Sequence, residues 1–216
     1  MEEQVLLVKP DIYILDKTFP DYKQVDKTKL QMTNVALYSV SGKSAAKLLA
    51  KIIYKKMKKR RDIVITDATA NVGSDSITLG LYFKKINSIE LNSINFGALK
   101  HNIDIYGLQN ITPINGNSLE QLNHLNQDVI YIDAPWGGRS YKQFSHMSLY
   151  LDKLELGDIY NKFKRKAKLF IFKVPNNYDI NKFIKVIGIR KIDIYSHIDN
   201  FGKLKYMIIT VNGKKE

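Results

Sequence analysis

The chain has 216 residues, 44% of them hydrophobic and 11% aromatic, with no cysteine and a formal net charge of +13. Its length and apolar content suit one α/β domain with a sizeable core and some extra N-terminal material, and argue against disorder. The absence of cysteine excludes disulfides and thiolate metal sites, and the four histidines (His101, His124, His146, His197) show no metal-ligand spacing, so no metal is expected.

The N-terminus does not read as a secretion signal. Glu2 and Glu3 stand where basic residues would be, and the apolar run 5–8 is too short. No stretch approaches the roughly 20 apolar residues that span a bilayer. An intracellular protein is expected, in the cytoplasm, the nucleus or, for a viral chain, the host-cell cytoplasm. The 34 basic residues against 21 acidic ones favour a polyanionic partner. Six cations crowd into the seven positions Lys55-Lys56-Met57-Lys58-Lys59-Arg60-Arg61. A helix end needs only one or two to complement its dipole.

Residues 1–36 carry Pro10 and Pro20 and no clean period, and read as an irregular N-terminal extension ahead of a domain over 37–216. Ser41 is a plausible N-cap for a helix with an apolar stripe at Ala45, Leu48, Leu49, Ile52 and Ile53. Strand and helix then alternate: strand 62–67, helix 74–84, strand 86–91, helix 93–106 stopping at Gly107, strand 111–114, a short helix 118–125, and strand 129–132. A helix over about 153–166 precedes strand 169–174, which Pro175 breaks. A helix over 180–186 and strands 190–196 and 204–211, with Gly202 between them, complete the pattern. The fold class is α/β: a mostly parallel, seven-stranded, Rossmann-like sheet with a terminal antiparallel hairpin, the class I methyltransferase layout.

In such sheets the ligand lies beyond the carboxyl ends of the strands. Asp67, Ala68, Thr69 and Gly73 belong to a small-residue loop opening a helix. Glu90, with Leu91 after it, ends the next strand, where an acid can hydrogen-bond ribose hydroxyls. Asn117 and Ser118 follow the third strand, where an amide could read an adenine edge. Asp133 ends the fourth. One polar residue at each successive strand end points to an adenosyl ligand.

The hexapeptide Asp133-Ala134-Pro135-Trp136-Gly137-Gly138 contains the only tryptophan of the chain. A carboxylate, a proline and a large aromatic at a strand end can hold a flat base by its face and grip its amine at the edge. Asp133, Pro135 and Trp136 are the catalytic candidates, for chemistry on the exocyclic amine of a nucleobase.

With these residues in hand, the chain resembles the trimethylguanosine synthase family, the RNA cap guanine-N2 methyltransferases. The resemblance runs from Leu37 to Asp179 through Leu37-Tyr38-Ser39-Val40-Ser41, the 67–73 loop, His101-Asn102, Tyr106-Gly107, Asn115-Gly116-Asn117, the hexapeptide and Tyr141. Two letters depart: Ala134, where the family has proline, and Asn71, where glycine is common. The resemblance implies S-adenosylmethionine as methyl donor and the N2 amine of a 7-methylguanosine RNA cap as acceptor, giving di- or trimethylguanosine. Trp136 would stack on the cationic base, gaining about 0.5–2 kcal/mol of cation–π attraction. Arg139, Tyr141, Lys29, Asn176 and Asn177 are the further substrate-binding candidates, with Lys17, Phe19 and Tyr22 from the extension. The expected partner is capped RNA, met by a monomer. An adenine-N6 methyltransferase and an idle cap- or RNA-binding module remain as alternatives.

Overall fold

A computed structural model describes residues 4–23, 25–188, 192–198 and 201–215, with the side chain of Arg139 outside them. The chain divides into two compact units, Met1–Gln121 and Leu122–Glu216.

The first unit opens on short elements where the sequence suggests none: β1 (Leu7–Val8), α1 (Ile12–Thr18), a 3-10 turn (Lys27–Lys29), β2 (Met32–Thr33) and α2 (Ala36–Ser39). Four of them are two to four residues long, too short for a periodic pattern to report, and α1, with seven, lies in the stretch between Pro10 and Pro20 that shows no clean period. Side-chain caps start two of them: Asp11 accepts from Tyr13 N–H, and Asp26 from Thr28 N–H. α3 (Lys43–Lys56) buries Ala46, Leu49, Ala50, Ile52 and Ile53. Ser41 does not cap it; Gly42 occupies that place, and the buried Ser41 hydroxyl donates to Asp75 at 2.7 Å. Then follow β3 (Val64–Asp67), α4 (Ser74–Gly80), β4 (Lys85–Glu90), α5 (Ser93–Tyr106), β5 (Ile111–Asn115) and α6 (Ser118–His124), the last running across the unit boundary. β3, β4 and β5 are parallel, with Val64 opposite Lys85 and Ile86 opposite Ile111. Their carboxyl ends therefore share one edge of this unit.

The second unit contains β6 (Val129–Ile132), a 3-10 turn (Gly138–Gln143), β7 (Tyr150–Leu151), β8 (Leu154–Glu155), α7 (Leu156–Phe163), β9 (Leu169–Pro175), α8 (Ile180–Ile187), β10 (Asp193–Ile198) and β11 (Leu204–Asn212). α7 is shorter than the helix expected over 153–166. The β7–β8 hairpin takes up its first residues, and Glu155 caps α7 by accepting from Gly157 N–H. Pro175 ends β9 from inside the strand. Of the strand expected over 190–196, residues 190 and 191 lie outside the described residues. β6 and β9 are parallel, and β11 runs antiparallel to both β9 and β10.

The larger sheet has seven strands in the order β10-β11-β9-β6-β3-β4-β5, mostly parallel with the antiparallel hairpin at one end, as the alternation of elements implies. All residues of β6 and β9 are buried, which suits strands covered on both faces. Each fully buried Phe or Ile there contributes roughly 1.5–3 kcal/mol over its exposed state. No helix among the described residues is long and apolar enough to cross a membrane.

Candidate functional site

In the first unit, the loop between β3 and α4 is organised by its own polar groups. Asp67 has no exposed surface: one oxygen accepts from Thr69 N–H at 3.2 Å and the other from the Ser76 hydroxyl at 2.6 Å. Its carboxylate therefore shapes the loop from inside. Ala68 is buried, and its carbonyl accepts from the Ser118 hydroxyl, joining the loops after β3 and β5. Gly73 has φ +96°, a left-handed backbone that favours glycine, and a Cβ there would lie 2.8 Å from Leu99 Cδ1 and displace that methyl.

Asn71 accounts for the departure from glycine in this loop. Its φ is +50°, in the left-handed region that asparagine tolerates best among non-glycine residues. Its Nδ2 donates to the Ser39 hydroxyl at 3.0 Å, and its Oδ1 accepts from Val72 N–H at 2.9 Å. Its N–H donates to Glu90 at 2.8 Å. Ser39 and Ser41 of the Leu37–Ser41 run thus brace the loop and α4.

Glu90 accepts backbone N–H groups of Asn71 and Asn92, one on each oxygen, and Asn95 adds a side-chain hydrogen bond. Burial nevertheless raises its pKa above the ordinary carboxylate value, the hydrogen bonds opposing that rise only in part. The Leu91 N–H is a fourth donor, so the roughly four acceptor sites of the carboxylate are already engaged within its own surroundings. Leu91, beside it, is 67% exposed. Asn117 caps α6 through Oδ1, which accepts from Leu119 N–H at 2.8 Å, and its Nδ2 has no partner among the described residues.

The same unit shows what the His101-Asn102 and Tyr106 signature does. His101 Nε2 lies 2.8 Å from the Lys29 carbonyl, Asn102 pairs with both backbone groups of Gln31 and donates to the Val72 carbonyl, and Tyr106 donates to the Pro20 carbonyl. α5 therefore fastens the N-terminal segment to the unit. Burial pushes the Tyr106 hydroxyl pKa up, with nearby Asp21 and Asp16 adding to the rise. Phe19 is fully buried against Tyr106, so as it stands it belongs to the core and presents no face to a ligand. Tyr22 stacks on the same ring. Lys29 and Lys17 are exposed, the latter with its ammonium 4.1 Å from the Tyr13 ring centre.

In the second unit, Asp133 follows β6 and forms an ion pair with Lys173 of β9 at 2.6 Å, the side chains being 14% and 8% exposed. The Lys173 ammonium also lies 5.5 Å from the Trp136 ring centre and 5.4 Å from that of Tyr206. Lys173 is the residue that sequence reasoning missed. The signal was available: a lone lysine in the apolar run Leu169-Phe170-Ile171-Phe172-Lys173-Val174 either ends the strand or is buried with a partner.

Trp136 is half-buried and meets Tyr141 edge-on, the ring centres 5.2 Å apart. Its Nε1–H is buried without an acceptor among the described residues. A buried donor left unpaired costs about 1–3 kcal/mol, which packing alone gives no reason to keep. Gly137 and Gly138 both have positive φ, +81° and +67°, and reverse the chain directly after the indole. Pro135 is exposed and Ala134 is buried, and nothing around Ala134 explains its departure from proline. Asn177 spends both Nδ2 protons on the Tyr141 and Phe144 carbonyls and so ties down the 138–143 turn. Asn176 is exposed, and the Arg139 side chain lies outside the described residues.

Comparison with known proteins bears on the family and the fold. The family model described as RNA cap guanine-N2 methyltransferase matches residues 62–214. An uncharacterised mimivirus protein, L320 of Acanthamoeba polyphaga mimivirus, is 30% identical over 87% of this chain and 85% of its own length. Trimethylguanosine synthase of Schizosaccharomyces pombe is 31% identical over 48% of this chain and 45% of its own. A Listeria monocytogenes structure assigned to the class I S-adenosylmethionine-dependent methyltransferases superposes with a TM-score of 0.58 at 15% identity. That match covers 80% of this chain and 60% of the other. The chain thus spans under half the length of the fission yeast relative.

Proposed function

The chain belongs to the RNA cap guanine-N2 methyltransferase family, and from that premise we propose that it methylates the exocyclic N2 amine of a 7-methylguanosine RNA cap. As a member of that family with a class I fold, it is an S-adenosylmethionine-dependent methyltransferase. The observation that carries the finer reading is the Asp133–Lys173 pair set against the half-buried Trp136, whose ring nitrogen is left without an acceptor.

The donor fits the polar edge of the first unit. Glu90, only partly buried, is the acid for the ribose hydroxyls, which would share or displace one of its present donors; Asn117 retains an amide donor for a purine edge, and Leu91 offers exposed apolar surface beside them. Asp67, Ala68, Thr69, Gly73 and Ser118 build the loop that would hold it. When bound, S-adenosylmethionine supplies a methyl group activated on a sulfonium.

In this reading the second unit presents the acceptor. A purine amine is a poor nucleophile because its lone pair is delocalised into the ring. Holding it in line with the methyl carbon is therefore the main contribution, and such positioning supplies up to about 7–11 kcal/mol of a barrier. Asp133 accepts a hydrogen bond from the amine N–H, and takes the proton that leaves nitrogen as the methyl arrives. Lys173 fixes that carboxylate through the ion pair. Trp136 stacks on the base, and the positive charge of N7-methylguanine strengthens the contact by about 0.5–2 kcal/mol. Tyr141 supports the indole edge-on, and Pro135 stiffens the turn. Arg139 and Asn176 of this unit serve the cap phosphates, and Asn177 holds the 138–143 turn; Lys29, in the first unit, is a further candidate for phosphate.

Replacing Trp136 by Ala tests the stacking role. We expect at least about a tenfold loss of affinity for 7-methylguanosine triphosphate, with unmethylated guanosine triphosphate affected less. Binding of S-adenosylhomocysteine, followed by calorimetry, should be unchanged. An equal loss of nucleotide and S-adenosylhomocysteine binding would make Trp136 a packing residue only.

A further inference from the structure

α3 ends with hydrogen bonds from Lys59 N–H to the Tyr54 carbonyl and from Lys58 N–H to the Lys55 carbonyl. This is the 6→1 and 5→2 pattern that closes helices whose next residue is left-handed, usually glycine. Here that residue is Lys58, with φ +54°, and Lys59 follows with φ +64°. A left-handed conformation costs a non-glycine residue roughly 1–2 kcal/mol. Two consecutive exposed lysines in this conformation are not what backbone preference selects. The two capping hydrogen bonds offset part of the strain, and a role for the exposed side chains would account for lysine here in place of glycine.

The surroundings indicate what it is. The Lys84 N–H donates to the Arg61 carbonyl and Lys85 lies opposite Val64, so segments 55–62 and 84–85 are adjacent in the first unit. Together they carry eight cations and one carboxylate, Asp62, which Arg60 already engages at 2.9 Å. Lys55, Lys58, Lys59, Lys84 and Lys85 are exposed. The Arg61 guanidinium is held 4.8 Å from the Tyr54 ring centre and 5.7 Å from that of Tyr82. This cluster sits where β3 and β4 begin, whereas Asp67 and Glu90 stand where they end. At about 3.3 Å per residue, β4 alone separates the two edges by roughly 17 Å. An anion bound here is not the group being methylated.

We propose that this edge, centred on Lys58 and Lys59, binds the phosphate backbone of the substrate RNA downstream of its cap. The inference rests on the capped-RNA reading for the identity of that substrate. It predicts two classes of substrate: a dinucleotide cap too short to reach the edge, and a longer RNA that engages it.

The test is the double variant Lys58→Gly, Lys59→Gly. Glycine suits both backbone positions, so the unfolding temperature should not fall. Methyl transfer to a 7-methylguanosine dinucleotide cap should match the unsubstituted protein. Affinity for a capped RNA of about 20 nucleotides should fall about tenfold near physiological salt, and the slope of log affinity against log salt should lessen by about 1.4, roughly 0.7 for each lost contact to a single strand. An uncapped RNA of the same length should show the same change in slope, and this arm reads out even if no cap is methylated. Unchanged RNA affinity and slope would overturn the proposal. So would an equal loss of binding to polyglutamate, which would make the edge a general acidic docking surface.

Discussion

An Asp133→Asn variant is expected to lose about 100-fold or more in the single-turnover rate of methyl transfer to a 7-methylguanosine dinucleotide cap, with only a modest loss of cap affinity. The amide keeps the shape of the carboxylate but not its charge or its second acceptor oxygen. Its NH2 would face either the Lys173 ammonium, now 2.6 Å from Oδ2, or the amine of the base, and both are donors. The proton leaving nitrogen would also have no carboxylate to receive it. Turnover retained within about fivefold would show that positioning of the amine does not depend on this group.

The second large effect is expected at Lys173. A Lys173→Met variant leaves the Asp133 carboxylate largely buried without its cation. Removing one partner of a buried pair costs about 3–5 kcal/mol of stability, which thermal unfolding will register. The rate falls as well, because a carboxylate no longer fixed by the cation does not hold the amine in line. Lys173→Arg retains a cation and should restore much of the rate. A loss of stability with the single-turnover rate of the folded protein unchanged would reduce Lys173 to a structural role.

Much of the fold was legible because long elements carry redundant signals. α5 has the bounds its sequence implies, with Asn92 accepting from Ile94 and Asn95 at one end and Gly107 left-handed at the other. β6, an unbroken apolar run, is also as read. The N-terminal segment was illegible because most of its elements are two to four residues long, too short to show a period. Ser41 looked like a cap because serine before an apolar stripe usually is one. Its hydroxyl instead serves Asp75, a contact 34 positions away that no local pattern reveals.

The candidate site was legible as a set of strand ends, less so in its internal wiring. Asp67 and Glu90 look alike in sequence. The structure buries the first entirely within its own loop and leaves the second only partly buried, held by the N–H groups of Asn71 and Asn92. Phe19, read as an aromatic for the cap, fills the core against Tyr106. Asn71 raised doubt for lacking the expected glycine, yet its left-handed backbone keeps the turn that glycine would make. The same conformation at Lys58 and Lys59 escaped notice because a reading keyed to glycine passes over lysine. Lys173 escaped for a related reason: a single charge in an apolar strand becomes meaningful only when its partner, 40 positions earlier, is seen beside it.

The central claim is that the acceptor is the N2 amine of a methylated cap. The most direct measurement is transfer of labelled methyl from S-adenosylmethionine to three acceptors: a 7-methylguanosine dinucleotide cap, the unmethylated cap, and an uncapped adenine-containing RNA. The account predicts label on the methylated cap, located at N2 of the guanine, with far less on the unmethylated cap and none on adenine. Label on the adenine RNA alone would contradict it.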